Sequence, residues 1–398
     1  MKITSIDIFD LTPETGNQGI APICIRINTD AGICGFGEVG VGYGNAHYAG
    51  VNIVRDLGRR VLGRDPMETE SIWEDLFRNT FWGMAGGTVF NAGVSAIDIA
   101  LWDIKGKALG VPVYQLLGGK CRDRIRTYAS QVQFGWGPVK MYLNDPEDYA
   151  QAVRDAMAQG YTAVKVDPIG VTDQGKWIRA VQDDSWQLRG SLPRKVLDLA
   201  CARVEAMRSA GGDALDIIVE NHAFTDTSTA IQLGTALERC GIFYMEEPVH
   251  PLNSRSMQEI RKKVNIPLAS GERIFTRWGF RPFLEDRSLQ VVQPDFCLVG
   301  GITEGKKVAD LANLYDCTVQ GHCCGGPIST AAALQVEAAI PNFIIHELHS
   351  GALKAHIRAL CKYDYMPENG YYQVPELPGI GQELREEAIA RAEHIRIG

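Results

Sequence analysis

Short apolar runs in the second half of the chain end in an acidic or histidine side chain at nearly constant intervals. The intervals lie between 23 and 27 residues, which is about the length that one strand, one helix and two loops require. Runs such as 217–219 and 242–245 are rich in β-branched or aromatic residues, which favour strands. We therefore expect successive parallel strands, each with a polar side chain at its carboxyl end. These side chains are Glu220, Glu246, Glu272, Asp295, His322 and Glu347.

The apolar runs also predict the fold class, an α/β protein. Eight strands are what a closed (β/α)8 barrel needs, and such barrels carry their active sites at the carboxyl ends of the strands. We predict a modified TIM barrel of seven or eight β/α units with an amino-terminal α+β capping domain. The strand candidates are 125–129, 163–166, 215–219, 242–245, 267–270, 289–292, 318–320 and 343–345.

The pattern changes along the chain predict three regions. Residues 1–122 contain alternating apolar runs and then a long amphipathic helix at 91–109, and we expect them to form the cap, or lid. Residues 123–362 alternate strand and helix and form the barrel, with an insertion at 170–195 over its mouth. Residues 363–398 carry proline and glycine turns, and we expect them to pack back on the cap.

Composition excludes several classes of partner. The 398-residue chain has a net charge of −8 and no basic run that would attract nucleic acid. No segment has the ~20 apolar residues of a membrane span, and the amino terminus lacks a signal-peptide core. The ten cysteines have no paired spacing, which favours free thiols in a reducing cytoplasm.

Three of the predicted strand-end carboxylates predict a metal site. Glu220, Glu246 and Glu272 follow successive strands at intervals of 26 and 26 residues, so their side chains can meet. Oxygen ligands without sulfur or imidazole suit Mg²⁺. A single strand-end glutamate is more often part of a salt bridge at the barrel rim, but three in succession favour ligands. Glu247 points the other way along a strand and is expected to support the ligands rather than to bind the metal.

Two histidines are candidates for proton transfer. Asp295 and His322 end neighbouring strands, and a carboxylate that holds one imidazole nitrogen orients the ring as a general base. His222 lies two residues after Glu220, on the same side if the chain is extended, and is a candidate acid. The alternative for either histidine is a structural role among nearby glycines or in a loop.

Glu347 and Lys165 have open roles at this stage. Glu347 either holds a substrate carboxylate in its protonated form or pairs with an arginine. Lys165 either neutralises a substrate carboxylate or forms an ion pair with Asp167 or Glu220.

Five segments resemble the enolase superfamily, in its mandelate racemase branch, over essentially the whole chain. The resemblance implies Mg²⁺-dependent removal of the proton α to a carboxylate, with an enediolate intermediate. It also implies a symmetric homo-oligomer and cap loops over the barrel mouth, here 14–22, 40–47 and 80–87. The segments are 96–107, Glu246-Glu247-Pro248, Gly271-Glu272-Arg273, Gln293-Pro294-Asp295 and Gly300-Gly301-Ile302-Thr303-Glu304.

One difference between this sequence and the racemases of the branch indicates which reaction to expect. Racemases of the branch carry a second base in a Lys-x-Lys motif, whereas this chain has Lys165-Val166-Asp167. Glu220-Asn221-His222 is similar to the acidic-x-His motif of sugar-acid dehydratases of the galactonate type. The resemblance thus implies a hydro-lyase that acts on an aldonate or aldarate. His322 would take the α proton and His222 would protonate the departing β-hydroxyl, giving a 2-keto-3-deoxy acid.

Two other readings stay open at this point. An epimerase, racemase or cycloisomerase would share the enediolate without losing water. A barrel retained only for binding would be expected to have lost a ligand or the Asp–His pair, and this chain has all of them.

Overall fold

The computed structural model describes residues 1–12, 20–180 and 186–398, which form two β-sheets covered by helices. The predicted loops 14–22 and 170–195 therefore lie partly outside the described residues. The cap strands are β1 (Ile3–Asp10), β2 (Ile23–Thr29) and β3 (Cys34–Val39). The later strands are β4 (Arg124–Ser130), β5 (Ala163–Val166), β6 (Asp216–Glu220), β7 (Ile242–Glu246), β8 (Leu268–Ser270), β9 (Val291–Val292), β10 (Thr318–Val319), β11 (His346–His349), β12 (Tyr371–Gln373) and β13 (Glu393–Ile397).

Helices precede and alternate with the strands of the larger sheet. The helices of the cap are α1 (His47–Val61), α2 (Thr69–Arg78), α3 (Thr88–Leu109) and α4 (Val113–Leu116). The later helices are α5 (Pro146–Ala158), α6 (Arg194–Gly211), α7 (Thr227–Leu237), α8 (Ser254–Arg261), α9 (Thr276–Glu285), α10 (Gly301–Leu314), α11 (Pro327–Ala339), α12 (Ala355–Arg358) and α13 (Glu386–Arg391). No helix in these described ranges is both long enough and apolar enough to cross a membrane.

The larger sheet is a parallel barrel. Its strands follow the order β10-β9-β8-β7-β6-β5-β4-β11, and every neighbouring pair is parallel. A parallel bridge between Val319 and Phe343 joins the two ends, with Ile344 N donating to Val319 O at 2.9 Å. The predicted fold, a barrel with an α+β cap, is confirmed.

The barrel interior is filled by one inward-facing residue from most strands, as in other (β/α)8 barrels. Tyr128 and Tyr244 are the largest members of this cluster, and both are fully buried. They form a floor beneath the carboxyl ends of the strands, so side chains placed above them face an open mouth rather than the packed interior.

The cap is an antiparallel sheet in the order β13-β1-β2-β3 with α3 packed against β3. Gly35 and Gly37 allow this close packing. A Cβ atom at Gly35 would lie 2.1 Å from Ala100 O, and one at Gly37 would lie 2.0 Å from Ala96 O. The alternating glycines of β3 thus let the helix backbone rest directly on the strand.

The carboxyl-terminal tail contacts both sheets. Strand β13 pairs with β1 of the cap, and β12 pairs antiparallel with β4 of the barrel. The division at residues 122 and 362 stays a prediction.

The element bounds differ from the predictions mainly at the eighth barrel strand. It was predicted at 343–345, whereas β11 spans His346–His349. The apolar residues Phe343 and Ile344 instead make the contacts that close the barrel with Val319. Glu347 is consequently inside the strand, opposite Tyr128 of β4, and the expectation that it ends the strand is wrong. Helix α3 begins three residues before its predicted start and ends at Leu109 as predicted, with Gly110 in a left-handed conformation.

Candidate active site

The predicted site residues lie at or just beyond the carboxyl ends of the barrel strands, except Glu347, which lies inside β11. Glu220 and Glu246 are in register, because they form the last parallel pair between β6 and β7. Lys165 is on β5, next to them, and Glu347 is on β11. Of the five carboxylates among the predicted site residues, Glu272 is the most exposed, with 14% of its side chain accessible to solvent.

Lys165 lies in the middle of three carboxylates. Its Nζ atom is 3.0 Å from Glu220 Oε2, 2.9 Å from Glu246 Oε1 and 2.9 Å from Glu347 Oε1. Burial by itself would lower the pKa of this ammonium group, but the three negative charges raise it well above its usual value. Of its two predicted partners, Lys165 pairs with Glu220, and the described residues show no ion pair between Lys165 and Asp167. Lys165 is a fixed positive charge at the base of the site.

Glu347 has neither of the predicted partners. Burial would raise its pKa, but Lys165 and His322 lower it to about 2, so the group is ionised. Ser130 Oγ donates to its Oε1 at 2.6 Å, and Cys323 N donates to its Oε2 at 3.2 Å. Among the described residues, the ionised Glu347 pairs with Lys165 of the second barrel strand and not with an arginine.

Glu220 and Glu246 form a close pair of carboxyl groups beside Lys165. Burial and the charge of Glu220 raise the pKa of Glu246 well above its usual value, while the pKa of Glu220 is lowered overall against the effect of burial. Among the described residues, the Oε2 atom of Glu246 is buried without a hydrogen-bond partner, whereas Glu220 Oε2 faces Lys165 Nζ at 3.0 Å. Buried acceptors of this kind are rare unless a ligand or ion completes them.

Glu272 is turned toward the predicted base. Its Oε2 atom lies 3.0 Å from His322 Nε2, and its Oε1 atom lies 3.4 Å from Arg273 Nε. In the described ranges, no three acidic, histidine or cysteine side chains are arranged to hold one metal ion. The prediction that Glu220, Glu246 and Glu272 bind one metal ion stays a prediction, and in this arrangement Glu272 contacts His322.

The buried pair Asp295–His322 has the geometry of an oriented base. Asp295 Oδ2 lies 2.7 Å from His322 Nδ1, and the two backbones form a parallel bridge. Asp295 Oδ1 accepts a bond from Cys297 N at 2.7 Å, which fixes the carboxylate. Burial would lower the pKa of His322, but Glu272 and Asp295 raise it well above its usual value.

His222 is held by a second carboxylate. Its Nδ1 atom lies 3.0 Å from Asp167 Oδ2, and its Nε2 atom lies 3.3 Å from Gln131 Nε2. Burial opposes protonation of this ring, but Glu220 and Asp167 outweigh it and raise its pKa to about 9. The raised pKa favours the protonated ring at neutral pH, and His222 lines the cavity beside Gln131.

The prediction that the chain is extended from Glu220 to His222 is wrong. Strand β6 ends at Glu220, and the backbone of His222 and Ala223 is left-handed, with φ of 47° and 55°. Residues other than glycine rarely adopt this conformation, and such strain clusters at functional sites. His222 reaches the cavity because the chain turns there, not because it is extended.

A cavity of ≈260 Å³ opens above these groups, close to the lower end of the range for small-molecule sites. Five of the predicted residues line it. The other lining residues include several that sequence reasoning missed. The predicted members are Lys165, His222, Glu272, His322 and Glu347, and the missed ones include Tyr43, Gln131, Phe134, Lys140, Trp177, Arg179 and His349.

His349 could have been found from the sequence, since it lies two residues after Glu347 on the same strand. Its Nδ1 atom accepts a bond from Gly351 N at 2.9 Å. Burial lowers the pKa of this ring to about 4, so it is neutral. Its Nε2 atom therefore carries the proton and is a hydrogen-bond donor in the cavity wall.

The loops that were predicted to cover the barrel mouth do not all line the cavity. The cap loop 40–47 contributes Tyr43, and the insertion 170–195 contributes Trp177 and Arg179. The third predicted loop, 80–87, is not among the lining segments. Its aromatic residues Phe81 and Trp82 are 84% and 73% exposed. The lining residues that come from loops have no regular spacing in the sequence, so their place in the cavity cannot be predicted from it.

Comparisons with known proteins agree with this architecture. The model of the enolase C-terminal domain-like family matches residues 148–388, and the model of the mandelate racemase / muconate lactonizing enzyme N-terminal domain matches residues 14–118. A D-galactonate dehydratase from Ralstonia nicotianae is 32% identical, covering 98% of this chain and 94% of its own. A D-xylonate dehydratase from Haloferax volcanii is 32% identical, covering 92% of this chain and 84% of its own.

The comparison with solved structures covers the cap and the barrel together. A crystal structure of a member of the enolase superfamily from Salmonella Typhimurium is 54% identical and superposes with a TM-score of 0.95 over 100% of both chains. The similarity thus extends to both sheets and to the carboxyl-terminal tail.

Proposed function

The chain belongs to the enolase superfamily, in its mandelate racemase and muconate lactonizing enzyme branch, and from that premise we propose that it is a hydro-lyase that dehydrates a sugar acid. Relatives named D-galactonate dehydratase and D-xylonate dehydratase support a sugar acid as the substrate. The product is the corresponding 2-keto-3-deoxy acid, formed by loss of one water molecule.

The observation that carries the proposal is a pair of histidines at one cavity, each oriented by its own carboxylate. His322 with Asp295 reaches the cavity from the end of β10, and His222 with Asp167 reaches it from the end of β6. Dehydration needs one group that takes the α proton and one that gives a proton to the departing hydroxyl. Two histidines on different strands supply these two roles.

In the proposed mechanism, His322 Nε2 removes the proton α to the carboxylate, while Asp295 holds Nδ1 and stabilises the imidazolium. In this arrangement Nε2 is occupied by Glu272, so Glu272 must turn away before His322 acts. Lys165 offsets part of the negative charge of Glu220, Glu246 and Glu347 at the base of the site. His222 then donates its proton to the β-hydroxyl, the C–O bond breaks and water leaves. The resulting enol takes up a proton at the β carbon and becomes the ketone.

The residue Asp167 favours dehydration over two-base racemisation. Its side chain is fully buried and pairs with His222 Nδ1, and burial raises its pKa despite that bond. A group in this position orients the acid and does not reach a substrate proton itself.

The carboxylates fit a divalent cation, and we propose that Glu220, Glu246 and Glu272 bind Mg²⁺. The Oε2 atoms of Glu220 and Glu246 are hard oxygen donors in a close pair, that of Glu246 has no hydrogen-bond partner among the described residues, and Glu272 follows the end of the next strand. A bound cation would supply Lewis-acid stabilisation of charge on the substrate. We also propose that the enzyme acts as a homo-oligomer.

The test is a screen of aldonates and aldarates with Mg²⁺ present, with detection of 2-keto-3-deoxy acids by NMR. We expect at least one acid to lose water, with solvent deuterium incorporated when the reaction runs in D₂O. Exchange of the α proton without a keto product would replace dehydration by epimerisation or cycloisomerisation. Absence of both exchange and product across the screen would overturn the proposed activity.

A further inference from the structure

Two positive charges line the outer part of the cavity without a neutralising partner among the described residues. Lys140 and Arg179 are both exposed lining residues. Neither forms a hydrogen bond or an ion pair within the part of the chain that the structure describes. Lys165, at the base of the same cavity, differs from them because three carboxylates surround it.

Both cations are held in place by aromatic rings. Lys140 Nζ lies 3.9 Å from the centre of the Phe134 ring, and Arg179 Cζ lies 5.3 Å from the centre of the Phe224 ring. Contacts of this kind attract a cation without neutralising its charge. The charged groups are therefore positioned but remain available to bind an anion.

The supporting rings belong to one aromatic cluster next to the proposed acid. Trp177 lies 5.1 Å from Phe134 and 6.0 Å from Phe224, and Phe224 lies 5.9 Å from His222, all between ring centres. Arg179 is thus beside His222, while Lys140 lies at the other end of the aromatic cluster, against Phe134.

The ammonium group of Lys140 is partly desolvated. Burial lowers its pKa, and the positive charge of Lys354 lowers it further. An anion bound at Lys140 would form charge-assisted hydrogen bonds with it.

We propose that Lys140 and Arg179 bind a second carboxylate at the far end of the substrate, so that the preferred substrates are aldarates, the diacids of the sugar series, rather than aldonates. This inference rests on the proposed function, since it assigns the reacting carboxylate to the Lys165 end. It departs from the aldonates in the names of the relatives, and it makes these two loop residues determinants of specificity.

The test uses pairs of acids of identical configuration, such as galactarate with galactonate and glucarate with gluconate. The two members of a pair differ only in the terminal carboxylate. We expect kcat/KM for the aldarate of the preferred pair to exceed that for its aldonate by about 10- to 100-fold. In Lys140→Met and Arg179→Met, kcat/KM for the aldarate should fall by about 10- to 100-fold, and that for the aldonate by less than about threefold. Lys263→Met removes an exposed cation outside the cavity and should leave the ratio unchanged.

Three outcomes would overturn the inference. The first is turnover of aldonates with no preference for any aldarate, which would leave the proposed dehydration intact. The second is an equal loss for both acids in the Lys140 and Arg179 variants. The third is an effect of these variants that disappears at high salt for both acids, since it would mean that the cations only steer anions to the site.

A binding measurement keeps the inference testable if no acid is dehydrated. Thermal shift titrations with the same paired acids should show tighter binding of the preferred aldarate by wild type, and Lys140→Met should weaken it by about tenfold. Equal binding of both acids would overturn the second carboxylate site independently of catalysis.

Discussion

His322 is the residue on which the proposed chemistry most directly depends, because its Nδ1 atom is fixed by Asp295 and its Nε2 atom faces the cavity. We expect His322→Asn to lower dehydration by at least about 10²- to 10⁴-fold and to abolish exchange of the α proton in D₂O. Circular dichroism of the variant serves as the control for folding. Retained exchange in a folded variant would remove His322 as the base.

His222 should give a different result because it acts after the α proton has left. In His222→Asn we expect dehydration to slow by about 10²-fold or more while α-proton exchange persists. NMR measures product and exchange in one D₂O sample. A dehydration rate equal to that of wild type would contradict the role of His222 as the acid.

The carboxylate pair of Glu220 and Glu246 predicts a strong response to metal removal. Without a cation, burial and the nearby charge of Glu220 raise the pKa of Glu246, and Glu246 Oε2 has no hydrogen-bond partner among the described residues. We expect exhaustive chelation to abolish turnover, and Mg²⁺ to restore it and to raise the melting temperature as a ligand of the native state does. Glu246→Gln should remove most of the Mg²⁺-dependent rise. Full turnover after chelation, verified by metal analysis, would refute a metal site here.

Among the elements, the junction of α3 with α10 shows how the cap is held on the barrel. Ser95 Oγ accepts bonds from Gly300 N and Gly301 N at 2.9 and 3.0 Å, and Asp98 Oδ2 accepts one from Thr303 N at 2.9 Å. Side chains of one helix thus complete the free N–H groups at the start of the other. Gly301 has a φ of 81°, and a Cβ atom there would lie 2.3 Å from Asp98 Oδ2.

This junction has a predicted pH dependence. Burial raises the pKa of Asp98 to about 7 from 3.8, so the native state holds this proton more tightly than the unfolded state does. Its contribution to the unfolding free energy is complete below pH ~4 and is lost as the pH rises toward 7. Asp98→Asn carries no such charge, so relative to wild type it should gain about 3 kcal/mol between pH 5 and pH 8.

Urea unfolding at both pH values measures this gain. Asp310→Asn, on the exposed face of the same helix α10, is the matched control and should stay within about 0.5 kcal/mol of wild type. The same free-energy difference between Asp98→Asn and wild type at both pH values would contradict the raised pKa.

At the scale of the whole molecule, Asp103 joins three distant parts of the chain. This fully buried side chain accepts bonds from Phe36 N of β3 and Ile380 N of the tail, both at 2.9 Å, and pairs with Lys107 at 2.8 Å. Gly379 packs against it, and a Cβ atom there would lie 2.0 Å from Asp103 Oδ1.

We expect Asp103→Ala to lower the unfolding free energy by about 3 to 5 kcal/mol, since it leaves two buried backbone N–H groups without an acceptor and removes one of the two carboxylates that pair with Lys107. Hydrogen exchange should increase both in β3 and near Ile380, which are far apart in the sequence. Asp56→Ala, exposed on α1, is the control. Faster exchange in only one of the two segments would contradict a shared junction.

Much of the architecture was predictable because regular elements leave a periodic pattern. The interval between strand-end polar residues predicted the barrel, and alternating apolar residues predicted the cap sheet. The eighth strand was placed too early, since Phe343 and Ile344 are as apolar as a strand but serve to close the barrel. Pairing partners at the site were less predictable, as Lys165 shows, because a long side chain reaches three carboxylates on other strands.

The sequence by itself determined the fold, the family and the set of polar side chains at the barrel mouth, because each depends on local spacing along the chain. Only the tertiary structure decided how the charges pair, that His222 lies on a left-handed turn, and that Lys140 and Arg179 line the cavity without an ion pair to any residue that the structure describes. These properties depend on distances between loops and strands far apart in sequence. Burial there sets which charges are neutralised and which remain free for a substrate.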